Sequence, residues 1–210
     1  MDVKTVLLDV DGTLLDSGEL VFAGFEHALG EVGWEVPGRE ELARWIGPPL
    51  EQIYAERVGR DRVDTLTRRH RSFQQGNLEL AAPFEGAGRA LERMRSRGLR
   101  LAAVTSRSKL TSIGSLARAG LIDLLEVVIS AEDAPALKPD PRHLRAALIA
   151  LDVPDHGVAM VGDTPPDIEG GRNLGAMTVG ALYGFHGAEL RAARPDRVIE
   201  SIAELPDVLA

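Results

Sequence analysis

Thr5-Val6-Leu7-Leu8-Asp9-Val10-Asp11-Gly12-Thr13-Leu14-Leu15-Asp16-Ser17 starts as an apolar, partly β-branched run and ends in carboxylates and hydroxyls. A short apolar run of this kind, Thr5–Val10, reads as a buried strand. Asp9 and Asp11 fall at its C-terminal edge, two residues apart. On a regular strand both would face the same side. Two like charges that close call for a divalent cation, or for a proton on one of them. Gly12 lets the chain turn and aim backbone N–H groups at an anion. Asp-Gly is also a common turn pair, so the two acids alone do not decide the matter.

Further along, Leu99–Thr105, Glu126–Ser130, Gly157–Val161 and the weaker Ala176–Val179 read as strands. Helical patterns alternate with them: Gly86–Arg97, Lys109–Ala119, Pro141–Leu151 and Pro165–Leu174. Gly98, Gly120 and Gly175 stand where helix C-caps belong, and Pro141 and Pro165 near helix starts. The alternation predicts an α/β protein with a doubly wound parallel sheet, a Rossmann-like core with its ligand edge at the strand C-termini. Residues 15–83 break the rhythm with helical periodicity and no convincing strand. The expected division is an α/β core domain, 1–14 and 84–210, with an inserted α-helical cap domain, 15–83. Its two connections would let the cap move as a lid.

Three more motifs fall at strand ends. Gly162-Asp163-Thr164-Pro165-Pro166-Asp167 places a second acid pair across a strand-to-helix turn. A hard cation wants several oxygens, and Asp9, Asp11 and Asp163 together would suit Mg²⁺. Asp167 alone could simply favour a helix N-terminus. Thr105-Ser106-Arg107-Ser108 offers hydroxyls and free N–H groups before a helix, a cradle for an anion. Lys138, in a loop leading to a helix, gives a compact positive charge suited to phosphate. Only three of the 24 basic residues are Lys, which makes that position more pointed.

Acid pair, hydroxyl, Lys, acid pair, in that order, resembles the haloacid dehalogenase superfamily, and the resemblance spans essentially the whole chain. It implies that Asp9 is the nucleophile, forming an aspartyl-phosphate, and that Asp11 is the general acid and then the base. It implies that Thr105 and the N–H of Ser106 hold the phosphoryl oxygens while Lys138 neutralises charge. Asp9, the backbone carbonyl of Asp11, and Asp163 would bind Mg²⁺, with Asp167 in or just outside that shell. An acid at position 11 favours phosphoryl transfer over the metal-free dehalogenase chemistry. No Lys lies in 15–83, which disfavours the Schiff-base phosphonate-cleaving relatives. Val21 and Leu50 stand where sugar-phosphate mutase relatives carry His and Arg.

The layout is most similar to the phosphoglycolate phosphatase group, whose substrates are small phosphomonoesters. Ile46-Gly47-Pro48-Pro49-Leu50 also resembles a bacterial pyrophosphatase branch. Arg44 and Arg71 are the candidate cap residues for the rest of the substrate, against a plain solvated basic face. A non-catalytic binding or regulatory protein on the same scaffold is the alternative from another class. Loss of Asp9, Asp11, Lys138 or Asp163 would signal it, and all four are present.

Composition bounds the reading from outside. The chain has 210 residues, 44% hydrophobic and 27% charged, with a formal net charge of −8. That balance fits a globular fold and disfavours nucleic-acid and anionic-membrane partners. The absence of Cys excludes thiolate nucleophiles, disulfides and Cys-ligated metals. No apolar run approaches a membrane span and no signal-peptide pattern opens the chain, so a cytoplasmic monomer or homodimer acting on a small phosphorylated molecule is expected.

Overall fold

Thr5–Leu8 (β1) is buried on both faces, the pattern of a strand in the middle of a parallel sheet. The computed structural model describes residues 2–210. Leu15–Asp16 (β2) follows, then four helices: Gly18–Gly30 (α1), Arg39–Ala43 (α2), Leu50–Arg57 (α3) and Val63–Gly76 (α4). Ala82–Pro83 (β3) pairs antiparallel with β2. Helices and strands then alternate: Ala87–Ser96 (α5), Arg100–Val104 (β4), Lys109–Arg118 (α6), Val127–Ile129 (β5), Pro141–Leu151 (α7), Val158–Gly162 (β6), Pro165–Leu174 (α8) and Met177–Ala181 (β7). Arg197–Ile199 (β8) and Leu205–Val208 (α9) close the chain.

Six strands form one parallel sheet in the order β5-β4-β1-β6-β7-β8. Alternate residues supply its two faces, as the strand period of two demands. Val6 and Leu8, Leu101 and Ala103, and Ala159 and Val161 face α5, α6 and α9. Leu7, Ala102 and Val104, and Val158 and Met160 face α7 and α8. Both faces are covered by helices, so the doubly wound parallel sheet expected from the sequence is what forms. Cutting Leu8 back to Ala would cost about 2–5 kcal/mol, the range for a fully buried Leu.

Strand edges differ from the sequence reading in physically simple ways. β1 stops at Leu8 rather than Val10, because Val10 carbonyl accepts turn bonds from the N–H groups of Leu14 and Leu15. β8 was not anticipated. It has three residues at the sheet's edge, too few for a periodicity to register. The β2–β3 pair was missed too, since two residues per strand carry no pattern. It ties the two connections of the helical segment to each other.

The helices of 18–76 enclose an apolar cluster of their own. Phe25 sits at its centre, edge-on to Trp45, Tyr54 and His70 at ring distances of 5.7, 5.7 and 4.6 Å. Gly24 lets α1 approach α4 closely: a Cβ there would lie 2.6 Å from His70 Nε2. On the outside, Arg39 pairs with Glu19 and Glu26, Arg44 with Glu40 and Arg69 with Glu31. Phe185 meets Phe22 edge-on at 6.1 Å, and His186 Nε2 donates to Ile46 carbonyl at 3.0 Å, so the segment after β7 touches the helical segment. Among the described residues no helix is long and apolar enough to cross a membrane.

Candidate active site

The C-terminal ends of β1, β4 and β6 converge because the strands are adjacent and parallel. Asp9 leaves β1 held by an N–H bond to Val161 carbonyl at 2.9 Å. Gly12, at φ 81°, turns the chain back beneath Asp163. A Cβ on Gly12 would lie 2.2 Å from Asp163 Oδ2, so both the dihedral and the space demand glycine.

Three carboxylates gather at this edge. Asp9, Asp163 and Asp167 are all buried, and each offers an oxygen within 4.8 Å of the others. Lys138 Nζ stands among them, 2.5 Å from Asp9 Oδ1, 2.7 Å from Asp167 Oδ1 and 2.8 Å from Val104 carbonyl. Thr13 Oγ1 donates to Asp163 Oδ1 at 3.3 Å and Phe185 N–H to Asp163 Oδ2 at 2.8 Å. Asp167 caps α8: its Oδ2 accepts from the N–H and hydroxyl of Thr164, at 3.0 and 2.7 Å. Asp167 therefore has the capping role foreseen as its plain alternative and also faces the cluster.

Charge decides what this cluster can hold. With all three carboxylates ionised, one ammonium would leave two negative charges in a buried pocket. Burial pushes the Asp9 carboxyl up to about 7, against the pull of Lys138, and pushes Asp163 well above the carboxylate range, with Asp9 and Asp167 adding to it. Burial alone would lower the Lys138 ammonium, but Asp167 and Asp9 outweigh it and hold it charged. The donor set is all oxygen, with two charges uncompensated. It fits a hard divalent cation such as Mg²⁺.

Asp11 does not join that cluster through its side chain. The regular-strand expectation, with Asp9 and Asp11 on one face, fails because β1 ends before either residue. Asp11 Oδ1 instead accepts from Arg107 at 2.7 Å. Its backbone carbonyl is the group that the resemblance assigns to the metal. Arg107 is the residue that the sequence reading missed. Its spacing held a signal: Arg107, Thr111 and Ser115 recur every four residues, one face of a helix start.

A cavity of about 110 Å³ opens over these groups, lined by Asp9, Asp11, Thr105, Ser106, Arg107 and Lys138 on the sheet side. Val21, Phe25, Ile46, Gly47, Pro48, Leu50 and Ile53 line it from the helical side, together with His70, Arg71 and Gln74. Thr105 is buried and its Oγ1 accepts from Arg107 N–H at 3.1 Å, while Ser106 Oγ is buried without a hydrogen-bond partner. Arg71 lines the cavity and pairs with Glu51 at 2.7 Å. Arg44 does not line it. Its guanidinium is exposed and occupied by Glu40 one helical turn back, so that expectation is corrected. His70 is a second unforeseen lining residue. Burial pushes its imidazole down to about 3, so it is neutral, and its Nδ1 bonds to Tyr54 hydroxyl at 2.9 Å.

The sequence profile of the haloacid dehalogenase-like hydrolases matches residues 6–181. The chain belongs to that family. Pyrophosphatase PpaX of Halalkalibacterium halodurans is 31% identical over 211 residues, covering all of this chain and 98% of that protein. Pyrophosphatase PpaX of Bacillus cereus is 30% identical over 212 residues, with the same coverage. Among solved structures, a haloacid dehalogenase-like hydrolase from Streptococcus pneumoniae superposes with a TM-score of 0.89 at 21% identity, covering 100% of this chain and 99% of that one. A predicted phosphoglycolate phosphatase from Haemophilus somnus gives the same TM-score, identity and coverage. At that identity the superpositions show the fold, with the same haloacid dehalogenase-like architecture over the full chain.

Proposed function

We propose that this haloacid dehalogenase-like hydrolase is an Mg²⁺-dependent phosphatase of a small phosphorylated metabolite, a phosphoglycolate-like phosphomonoester. One observation carries the reading. Asp9 lies on a small cavity, in contact with a buried ammonium and beside two further buried carboxylates, with Thr105 and Ser106 on the same wall.

Asp9 attacks phosphorus, the leaving oxygen departs, and an aspartyl-phosphate forms on Asp9. Asp11 delivers the proton to the leaving oxygen and then takes one from water in the second step. Thr105 hydroxyl and Ser106 N–H hold phosphoryl oxygens. Lys138, 3% exposed, keeps a positive charge against Asp9 and the transferred group. Asp9, Asp163 and Asp167, with the Asp11 carbonyl, would hold the cation. When bound, it supplies charge neutralisation for the phosphoryl group. The helical segment, 15–83, acts as the cap that shuts water out around the substrate.

Inorganic pyrophosphate is the second reading. The Ile46–Leu50 stretch that suggested it places Ile46, Gly47, Pro48 and Leu50 on the cavity wall, and the curated relatives above carry the pyrophosphatase name. Val21 and Leu50 also line the cavity, which leaves apolar groups where mutase activity needs a proton donor and a phosphate grip.

Phosphate release from a panel of phosphomonoesters and pyrophosphate, with Mg²⁺, tests the proposal. Turnover that vanishes on chelation, returns with Mg²⁺ and stays poor with Ca²⁺ is expected, since Ca²⁺ takes more ligands in looser geometry. Full turnover after thorough chelation would contradict it.

A further inference from the structure

Arg107 has five N–H donors, and the structure accounts for four. Nε donates to Thr111 Oγ1 at 3.0 Å, and Nη2 to Thr111 carbonyl and Ser115 Oγ. Those three bonds lock the guanidinium fork onto the first turns of α6. Nη1 donates one hydrogen to Asp11 Oδ1 at 2.7 Å. Its second hydrogen has no partner among the described residues. The side chain is only 7% exposed, and Arg107 is one of the residues that line the cavity. Ser106 Oγ, on the same wall, is buried and equally without a partner.

Buried donors without acceptors are uncommon, and each is costly unless something fills it. Two of them on one small cavity, one on a fixed cation, describe a place for an anionic oxygen. Its position relative to the chemistry follows from Asp11. The proposed function brings Asp11 to the leaving oxygen, and Arg107 touches Asp11. A group held by Arg107 is therefore attached to the leaving oxygen directly or through a very short linker.

We infer that Arg107, with Ser106 Oγ, is the specificity-determining site for a second anionic group on the leaving side of the substrate. The inference rests on the phosphatase reading and narrows it. The substrate carries its transferable phosphoryl group within a few bonds of a phosphate or carboxylate. Arg71 and Arg107 each pair with a carboxylate at 2.7 Å, but Arg71 is 36% exposed against 7% for Arg107, so Arg71 is the weaker reader of that group. Position is also firmer at Arg107, because its fork is fixed by its own helix and does not depend on where the cap stands.

The test is a ratio of kcat/KM values with Mg²⁺ present. Pyrophosphate and phosphoglycolate carry the second anion as phosphate and as carboxylate. Ethyl phosphate has a similar length and lacks it. The parent enzyme should favour one or both two-anion substrates by about 10²-fold or more, the scale for a buried polar group left unpaired by the wrong substrate. Arg107→Ala should reduce that ratio to near one, chiefly through KM of the two-anion substrate. Arg107→Lys should keep part of it. Whichever arm is favoured identifies the second group. Ser106→Ala, a smaller change, should lower the ratio several-fold and serves if Arg107→Ala fails to fold. A parent ratio near one, or a ratio unchanged by these substitutions, overturns the assignment while leaving the phosphatase reading standing. Absence of phosphate release from all three substrates removes both.

Discussion

Lys138 and Arg44 each hold a carboxylate oxygen at similar distance, 2.5 Å for Asp9 and 2.7 Å for Glu40, yet they do different things. Lys138 is 3% exposed and its partners are buried. Arg44 is 61% exposed and its partner 89%. Water screens the second pair and leaves it worth about 0–1 kcal/mol. Nothing screens the first, so removing one member strands a charge that the fold cannot solvate. Charged residues at the sheet edge are desolvated and coupled to one another; those on the outside of the helical segment are mostly solvated. Burial separates the two, not residue type or pair distance.

The largest break in that contrast should come from Asp9→Asn. The amide is nearly isosteric and a poor nucleophile, so kcat should fall by several orders of magnitude while circular dichroism and melting remain those of a folded protein. Near-parent turnover in the folded variant would sink the nucleophile assignment. Lys138→Ala comes next. It should cost about 10²–10³-fold in kcat, the scale of one lost electrostatic stabiliser. Lys138→Arg should rescue little, because a planar fork cannot sit where a compact ammonium touches two carboxylates and a carbonyl. Lys109→Ala is the control. Lys109 is 55% exposed and lies outside the cavity, and its rate should stay within a factor of two to three.

A smaller effect sharpens the comparison from the cap side. His70 is buried neutral, with its pKa pushed down to about 3, while the unfolded chain protonates near 6.5. The folded state therefore binds fewer protons below pH 6.5, and stability falls as pH drops from there toward 3. The slope from this residue is up to about 1.4 kcal/mol per pH unit. Denaturant midpoints between pH 7 and 5 should fall more steeply for the parent than for His70→Gln. The difference between the two proteins is the readout, because His143, pushed down to about 4, adds the same sign, and Asp9, pushed up, opposes it. Equal slopes would mean that His70 takes up a proton as readily in the folded state as in the unfolded one. The smallest effect belongs to Arg44→Ala. Its kcat/KM should change less than two-fold and its stability by about 0.5 kcal/mol or less, the scale of an exposed helix pair. A ten-fold rise in KM would return Arg44 to the substrate and weaken the burial argument.

Local chemistry made much of this molecule readable from the chain. The short apolar runs specified buried strands, and their alternation with helices specified a doubly wound sheet, because parallel strands need crossovers and crossovers need helices. Pro141 and Pro165 marked helix starts to the residue, since a missing N–H costs least there. Asp9, Thr105 and Asp163 stand at strand ends, and adjacent parallel strands bring such ends together without further instruction, while Lys138 reaches them from the loop before α7. The sequence therefore determined the fold class, the position of the acid cluster and the chemistry that such a cluster can support.

Tertiary structure decided the rest, through quantities that no local pattern carries. Which carboxylates cluster depends on where Gly12 turns the chain, and that turn sends Asp11 to Arg107 instead of to Asp163. Whether a basic cap residue meets the cavity depends on which helix face packs inward. Arg71 and His70 lie on the inward side of α4, whereas Arg44 faces water. Three-residue β8 exists because β7 offers it an edge to pair with, not because Arg-Val-Ile prefers to be a strand. Side-chain direction and desolvation are properties of the packed molecule, which is why the acid cluster was legible in the chain and the partner of Asp11 was not.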